Sequence, residues 1–219
     1  MAKIVAATDA IQSLSEAETR LGLRRTADEN FFLEWQNNLP PLSTAEQEAL
    51  KVVWRRLLYH RADSELLEGA VMRLVVAPLL ELAGFYDPPF KLRAEAAIEI
   101  AVNDGEEILR GRIDALVLQN QLWVLVLEAK KTIISLRSAL PQALAYMMSN
   151  QQHQPVFGML TNGDDILFVK LCRAPTPQYD LSRSFAIYTV INELEAAFRT
   201  LKHFGSLISS DFDSAVGST

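Results

Sequence analysis

The spacing of apolar and polar residues changes character part-way along the chain. In "STAEQEALKVVWRRLLYH" (residues 43–60), Leu50, Val53, Trp54, Leu57 and Leu58 fall on one face of a 3.6-residue period, and Ser43 and Glu46 stand at capping-box spacing. A helix is predicted there. "SLSEAETRLGL" predicts a shorter one with Ser13 and Glu16 in the same roles. The intervening "TADENFFLEWQNNLPPL" has no clean period and ends at a Pro pair, a loop signal. The next helix carries Leu67, Val71, Leu74, Val75, Leu79 and Leu82 inward, with Asp63 or Ser64 as its cap, a kink at Pro78 and an exit at Gly84.

After Pro88 and Pro89 the period moves towards two. "KLRAEAAIEIAV" reads as a strand, and Asn103, Asp104 and Gly105 in "NDGEE" mark a hairpin turn. Strands are predicted over 108–118 and 122–129, separated by "QNQ". "SLRSALPQALAYMMSN" predicts a helix, with Pro141 either near its first turn or kinking it. "PVFGML" and "DILFVKL" are strands joined by the turn "TNGD", "SFAIYTV" is a further strand, and "INELEAAFRTLKHF" a closing helix. This order predicts an α+β (mixed α/β) fold around one central sheet. Residues 1–62 form a helical N-terminal extension packed on the core, 63–206 the core, and 207–219 a tail expected to fray.

Composition narrows the classes. With 219 residues, 49% of them apolar and 22% charged, the chain suits one globular domain. No run reaches the roughly 18 apolar residues of a membrane span, and the start lacks a signal-peptide pattern, so no membrane and a cytoplasmic home are expected. The single Cys172 excludes an internal disulfide and reads as a small core residue. His60, His153 and His203 show no ligand spacing. The net charge of −6 opposes nucleic-acid binding over the whole surface but leaves room for a local basic path. Arg55, Arg56 and Arg61 read as a solvated helix face. Phe31, Phe32, Trp35 and Trp54 would serve equally as core or as anchors of a homodimer.

The chemistry concentrates in "GRIDALVLQNQLWVLVLEAKK" (residues 111–131). Its second apolar segment is apolar on both faces, then delivers Glu128 and Lys130 on one face, with Lys131 on the other. Whether Asp114 joins them depends on the hairpin loop. A three-residue loop sets Leu118 opposite Leu122, which puts Asp114 diagonal to Glu128 on one face and Arg112 opposite Glu128. A two-residue loop turns Asp114 to the other face. Diagonal neighbours lie roughly 7–8 Å apart, close enough for a shared cation to bridge. An Arg112–Glu128 ion pair is the competing arrangement. Carboxylate oxygens suit Mg²⁺, a hard cation that catalyses phosphate-ester cleavage.

Asp114, thirteen intervening residues, then Glu128-Ala129-Lys130 resembles the signature of the PD-(D/E)XK nuclease superfamily, with Ile113 where the motif name has proline. "RGRIDALV" and "EGAVMRLVVAPLLELAGF" are similar to the nuclease domain at the start of type I restriction enzyme R subunits, over residues 64–171. The resemblance implies a restriction-endonuclease-like central sheet flanked by helices. It also implies a metal-dependent deoxyribonuclease of restriction-modification using Mg²⁺ or Mn²⁺. Asp114, Glu128, Lys130 and Gln142 would be its catalytic residues, and Glu68 would join Asp114 and Glu128 as a metal ligand; apart from the resemblance, Glu99 would supply another if the first strand adjoins the second. Gln142 and Tyr146 match the Q-x-x-x-Y motif of some branches. DNA is the implied partner. The sequence has no G-x-x-x-x-G-K-[ST] loop, so no R-subunit motor is expected, and a protein partner would supply specificity. The competing expectation is a non-catalytic module of the same fold that acts in binding or assembly.

Overall fold

Two capping boxes start the first helices of this computed structural model. It describes residues 3–6, 11, 13–93, 96–102, 107–113, 116–118, 122–126, 136–149 and 155–216, with the backbone alone for 3–6, 92–126 and 211–216. At α1 (Leu14–Leu21) the Glu16 N–H donates to the Ser13 hydroxyl and the Ser13 N–H donates to the Glu16 carboxylate. Ser43 and Glu46 repeat the device at α2 (Thr44–Arg61). Each box satisfies an N–H group that a helix start leaves without an intrahelical partner. Leu50, Val53 and Leu57 are buried, with Trp54 and Leu58 half-buried, so the predicted face of α2 is the observed one.

The third helix starts later than Asp63 or Ser64. Its first residue is Glu68, its N-cap is Leu67, and no side chain caps it. Leu67 is 62% exposed rather than inward. The helix runs as α3 (Glu68–Val71), a π-helical segment (Met72–Val76) and α4 (Ala77–Leu82). Pro78 accounts for the wide turn. It has no N–H to give the Leu74 carbonyl, and its ring would crowd that carbonyl in a tight turn. The Ala77 N–H reaches back five residues to the Met72 carbonyl. The extra residue moves the buried stripe from Val71 and Val75 to Val76 and Leu80.

A seven-stranded mixed sheet follows the order β2 (Arg24–Arg25), β10 (Gln178–Phe185), β9 (Ile166–Cys172), β8 (Val156–Thr161), β7 (Leu122–Val126), β6 (Leu116–Leu118) and β3 (Leu92–Arg93). β7 and β8 are parallel, and their crossover carries α5 (Leu140–Met148) with Pro141 in its first turn, the first of the two expected placements. A three-stranded sheet has the order β1 (Lys3–Ala6), β5 (Glu107–Ile113), β4 (Ala96–Val102). The strand predicted over 108–118 is therefore two elements, β5 and β6, assigned to different sheets. The "NDGEE" turn itself lies outside the described residues, but the strands flanking it pair antiparallel with Val102 opposite Glu107.

Side chains of β8 and β9 alternate between two cores. Val156, Leu160, Val169 and Leu171 meet α1 and α5. Phe157, Met159, Ile166 and Phe168 meet α2, the α3–α4 helix and α6 (Ile191–Val216). This is helix–sheet–helix layering around a central sheet, an α+β fold of the restriction-endonuclease kind. Strand β10 ends at Phe185, so only the first two residues of "SFAIYTV" belong to a strand. α6 continues through Gly205 to Val216, past the point where fraying was expected. Phe32 is buried in the core, Phe31, Trp35 and Trp54 pack on it, and the Trp54 indole N–H donates to the Ile187 carbonyl at 3.0 Å. Phe32 thus serves as core, and the other three are partly buried against it. Cys172 is half-buried, and burial pushes its thiol pKa up, which suits an inert residue.

Candidate active site

Asp114, Glu128, Lys130 and Lys131 lie outside the described residues. The hairpin that leads to them is described. Leu118 pairs with Leu122, Val117 with Trp123 and Leu116 with Val124, so the connection over 119–121 is the three-residue one. On its other side β7 runs parallel to β8, with Val126 beside Thr161. The C-terminal end of β7, two residues before Glu128, thus adjoins the start of the β8–β9 turn.

That turn is heavily bonded. The Thr161 hydroxyl donates to the Asp165 carbonyl at 2.8 Å and accepts from the Gly163 N–H at 3.1 Å. The Asn162 side-chain carbonyl accepts from the N–H groups of Asp164 and Asp165. Gly163 has φ 91°, and a Cβ there would lie 2.9 Å from Val71 Cγ2, so α3 rests directly on the turn. Glu68, three residues before Val71 on that helix, is half-buried. Arg61, the last residue of α2, forks onto Asp164 through Nε–Oδ1 at 2.9 Å and Nη2–Oδ2 at 3.0 Å. It ties the turn to α2 instead of presenting a free cation.

Glu99 is more distant. Its register partner is Arg110, and it stands three residues along β4 from Ala96, the partner of Ile113. At about 3.3 Å per residue that is roughly 10 Å from the strand end preceding Asp114. The described partner of Arg112 is Ala97, and among the described residues no pairing joins β5 to β7. The Gln142 amide donates to the Tyr146 hydroxyl one turn on, so the Q-x-x-x-Y pair acts as a unit. Tyr146 is fully buried in the core, and Gln142 is half-buried at the helix start. Among the described residues no three His, Cys, Asp or Glu side chains form a metal-binding group. The carboxylate set named by the sequence is an all-oxygen donor set, which fits a hard divalent cation.

The family model for the N terminus of type I restriction enzyme R proteins matches residues 33–176, well over half of the chain. The chain belongs to this family. No curated protein matches it at a significant level. The match starts well before residue 64, so it takes in α2 and part of the segment read as an extension. Nuclease, restriction-modification and DNA-binding themes follow from this membership. No described helix is long and apolar enough to cross a membrane.

A cavity of about 350 Å³ opens beside the β8–β9 turn, lined by Arg25, Arg137, Asn162, Asp165, Arg183 and Ser184 among others. β10 carries a β-bulge there, because Leu181 pairs with Val169 but Ser184 pairs with Leu167. The Ser182 hydroxyl stands in for the interrupted ladder, accepting from the Phe168 N–H at 2.9 Å and donating to the Arg183 carbonyl at 2.7 Å. Burial, then the charge of Asp164, pushes the Asp165 carboxyl above its ordinary range. The lining residues span 25 to 184, so no local motif announces the cavity.

Proposed function

We propose that this chain is a metal-dependent deoxyribonuclease that hydrolyses DNA phosphodiester bonds with Mg²⁺, for which Mn²⁺ can substitute. The three-residue hairpin connection carries this reading. It is the register under which the alternation of the sequence would bring Asp114 and Glu128 to one face of the hairpin. Asp114 and Glu128 would hold the cation, and Glu68 would add a carboxylate from α3. Glu99 is the weakest member of the set, given its distance along β4. When bound, the cation supplies charge neutralisation and Lewis acidity at the phosphoryl group.

If the strand alternation continues to Lys130, its ammonium would lie on the face of Glu128, orient the attacking water and counter charge growing on the phosphate. With its amide N–H given to Tyr146, Gln142 presents its carbonyl oxygen, an acceptor suited to the Lys130 ammonium. Nicking of supercoiled plasmid in Mg²⁺ tests the reading. Wild type cuts, and Asp114→Ala or Glu128→Ala loses roughly 100-fold or more of the rate. Equal behaviour of wild type and variants across several metals and substrates would leave a non-catalytic binding or assembly module as the better account.

A further inference from the structure

We propose that the cavity beside the β8–β9 turn holds a backbone phosphate of the DNA strand, at a distance from the bond to be cut. The inference rests on the nuclease reading and adds a location to it. Asn162 and Asp165 of the turn line the cavity, and the same turn starts beside the end of β7 that leads to Glu128. Arg137 follows Lys130 by seven residues and enters from the short 3₁₀ segment Leu136–Ser138. A strand crossing the hairpin end therefore has this cavity as a neighbour.

The lining chemistry is that of an anion site. Arg25, Arg137 and Arg183 bring three guanidinium groups, with Asp165 as the opposing carboxylate. Arg25 uses Nε on Asp180 at 2.9 Å, and its side chain is 56% exposed. Arg183 uses Nη1 on Glu193 and on the Ser184 carbonyl, and its side chain is 45% exposed. A guanidinium has five N–H donors in a rigid fork. Fixed along one edge by a carboxylate, each still offers donors at a set angle. The bulge in β10 sets Arg183 at this opening rather than in a regular ladder. The volume sits at the small end of the roughly 300–1,000 Å³ of ligand sites, room for a phosphodiester and its sugar.

Fluorescence anisotropy with a labelled DNA duplex and the full chain, in metal-free buffer at several salt concentrations, tests this. The Arg137→Gln/Arg183→Gln double variant should bind at least about 10-fold more weakly, with a salt slope smaller by about 1. Arg55→Gln/Arg56→Gln removes the same charge from an exposed face of α2 and should bind like wild type. Arg137→Lys/Arg183→Lys, which keeps the charge, should recover much of the loss, separating contact from misfolding. Equal affinity and slope for wild type and the Gln double variant would overturn the inference, as would no binding by wild type. Displacement of DNA by inorganic phosphate as effectively as by unlabelled duplex would also overturn it, in favour of a small-anion pocket. Cleavage that needs Asp114 while the Arg variants bind normally would sink the cavity alone. Arg-dependent binding without any cleavage would sink the nuclease reading alone.

Discussion

The two faces of the seven-stranded sheet are packed by different means. Under α1 and α5 small residues let the helices close on the sheet: Ala17, Ala143 and Ala145 pack with Leu160 and Val169, beside the two buried tyrosines Tyr146 and Tyr179. α5 is buried at Leu140, Pro141 and every position from Ala143 to Met148. Gly158 lets it lie flush, because a Cβ there would be 3.1 Å from Met147 Sδ. The other face is aromatic. Phe157 stacks on Phe204 with centroids 4.2 Å apart, and Phe168 meets Phe204 edge-on at 5.3 Å. The aromatic face supplies bulk stability. The small-residue face fixes a helix whose polar pair, Gln142 and Tyr146, belongs to the proposed site.

Substitutions should separate these roles. Phe204→Ala opens the aromatic cluster and should cost about 3–5 kcal/mol in denaturant unfolding, with cleavage per folded molecule retained. Activity lost in parallel with no stability change would break the distinction. Gly158→Val pushes α5 off the sheet and should cost about 1–3 kcal/mol. Here cleavage should fall further than stability accounts for, since Gln142 moves with the helix. The smallest effect belongs to neither face. Asp165 has a raised pKa in the folded chain, so its ionisation opposes folding once the pH exceeds its unfolded value near 4. Asp165→Asn should therefore stabilise at pH 7, and the gain should vanish as the pH falls through that unfolded value. A pH-independent difference would contradict the assignment.

What the sequence disclosed was mostly local. Capping boxes, Pro141 and the "TNGD" turn need only a few neighbouring residues to work, and each was found where its residues stood. Tertiary packing overrode the rest. A helix-interior glycine costs about 1 kcal/mol, yet α6 passes through Gly205, which packs against Phe85. Pro78 produced a π segment because the chain could widen there and keep Val76 and Leu80 buried. The bulge in β10 hid behind "LSRSF", where a serine side chain replaces a backbone partner. At the candidate site the sequence named the carboxylates but left the loop parity open, since "QNQ" permits two pairings. The Leu118–Leu122 register decides it.

The central claim is that Asp114 and Glu128 share one divalent cation. Calorimetric titration of Mn²⁺ into the full chain tests it most directly, with Asp114→Asn, Glu128→Gln and Glu99→Gln alongside wild type. The account predicts an uptake that either of the first two variants abolishes and that Glu99→Gln largely retains. Wild type taking up no Mn²⁺, or Asp114→Asn binding it unchanged, would contradict the claim.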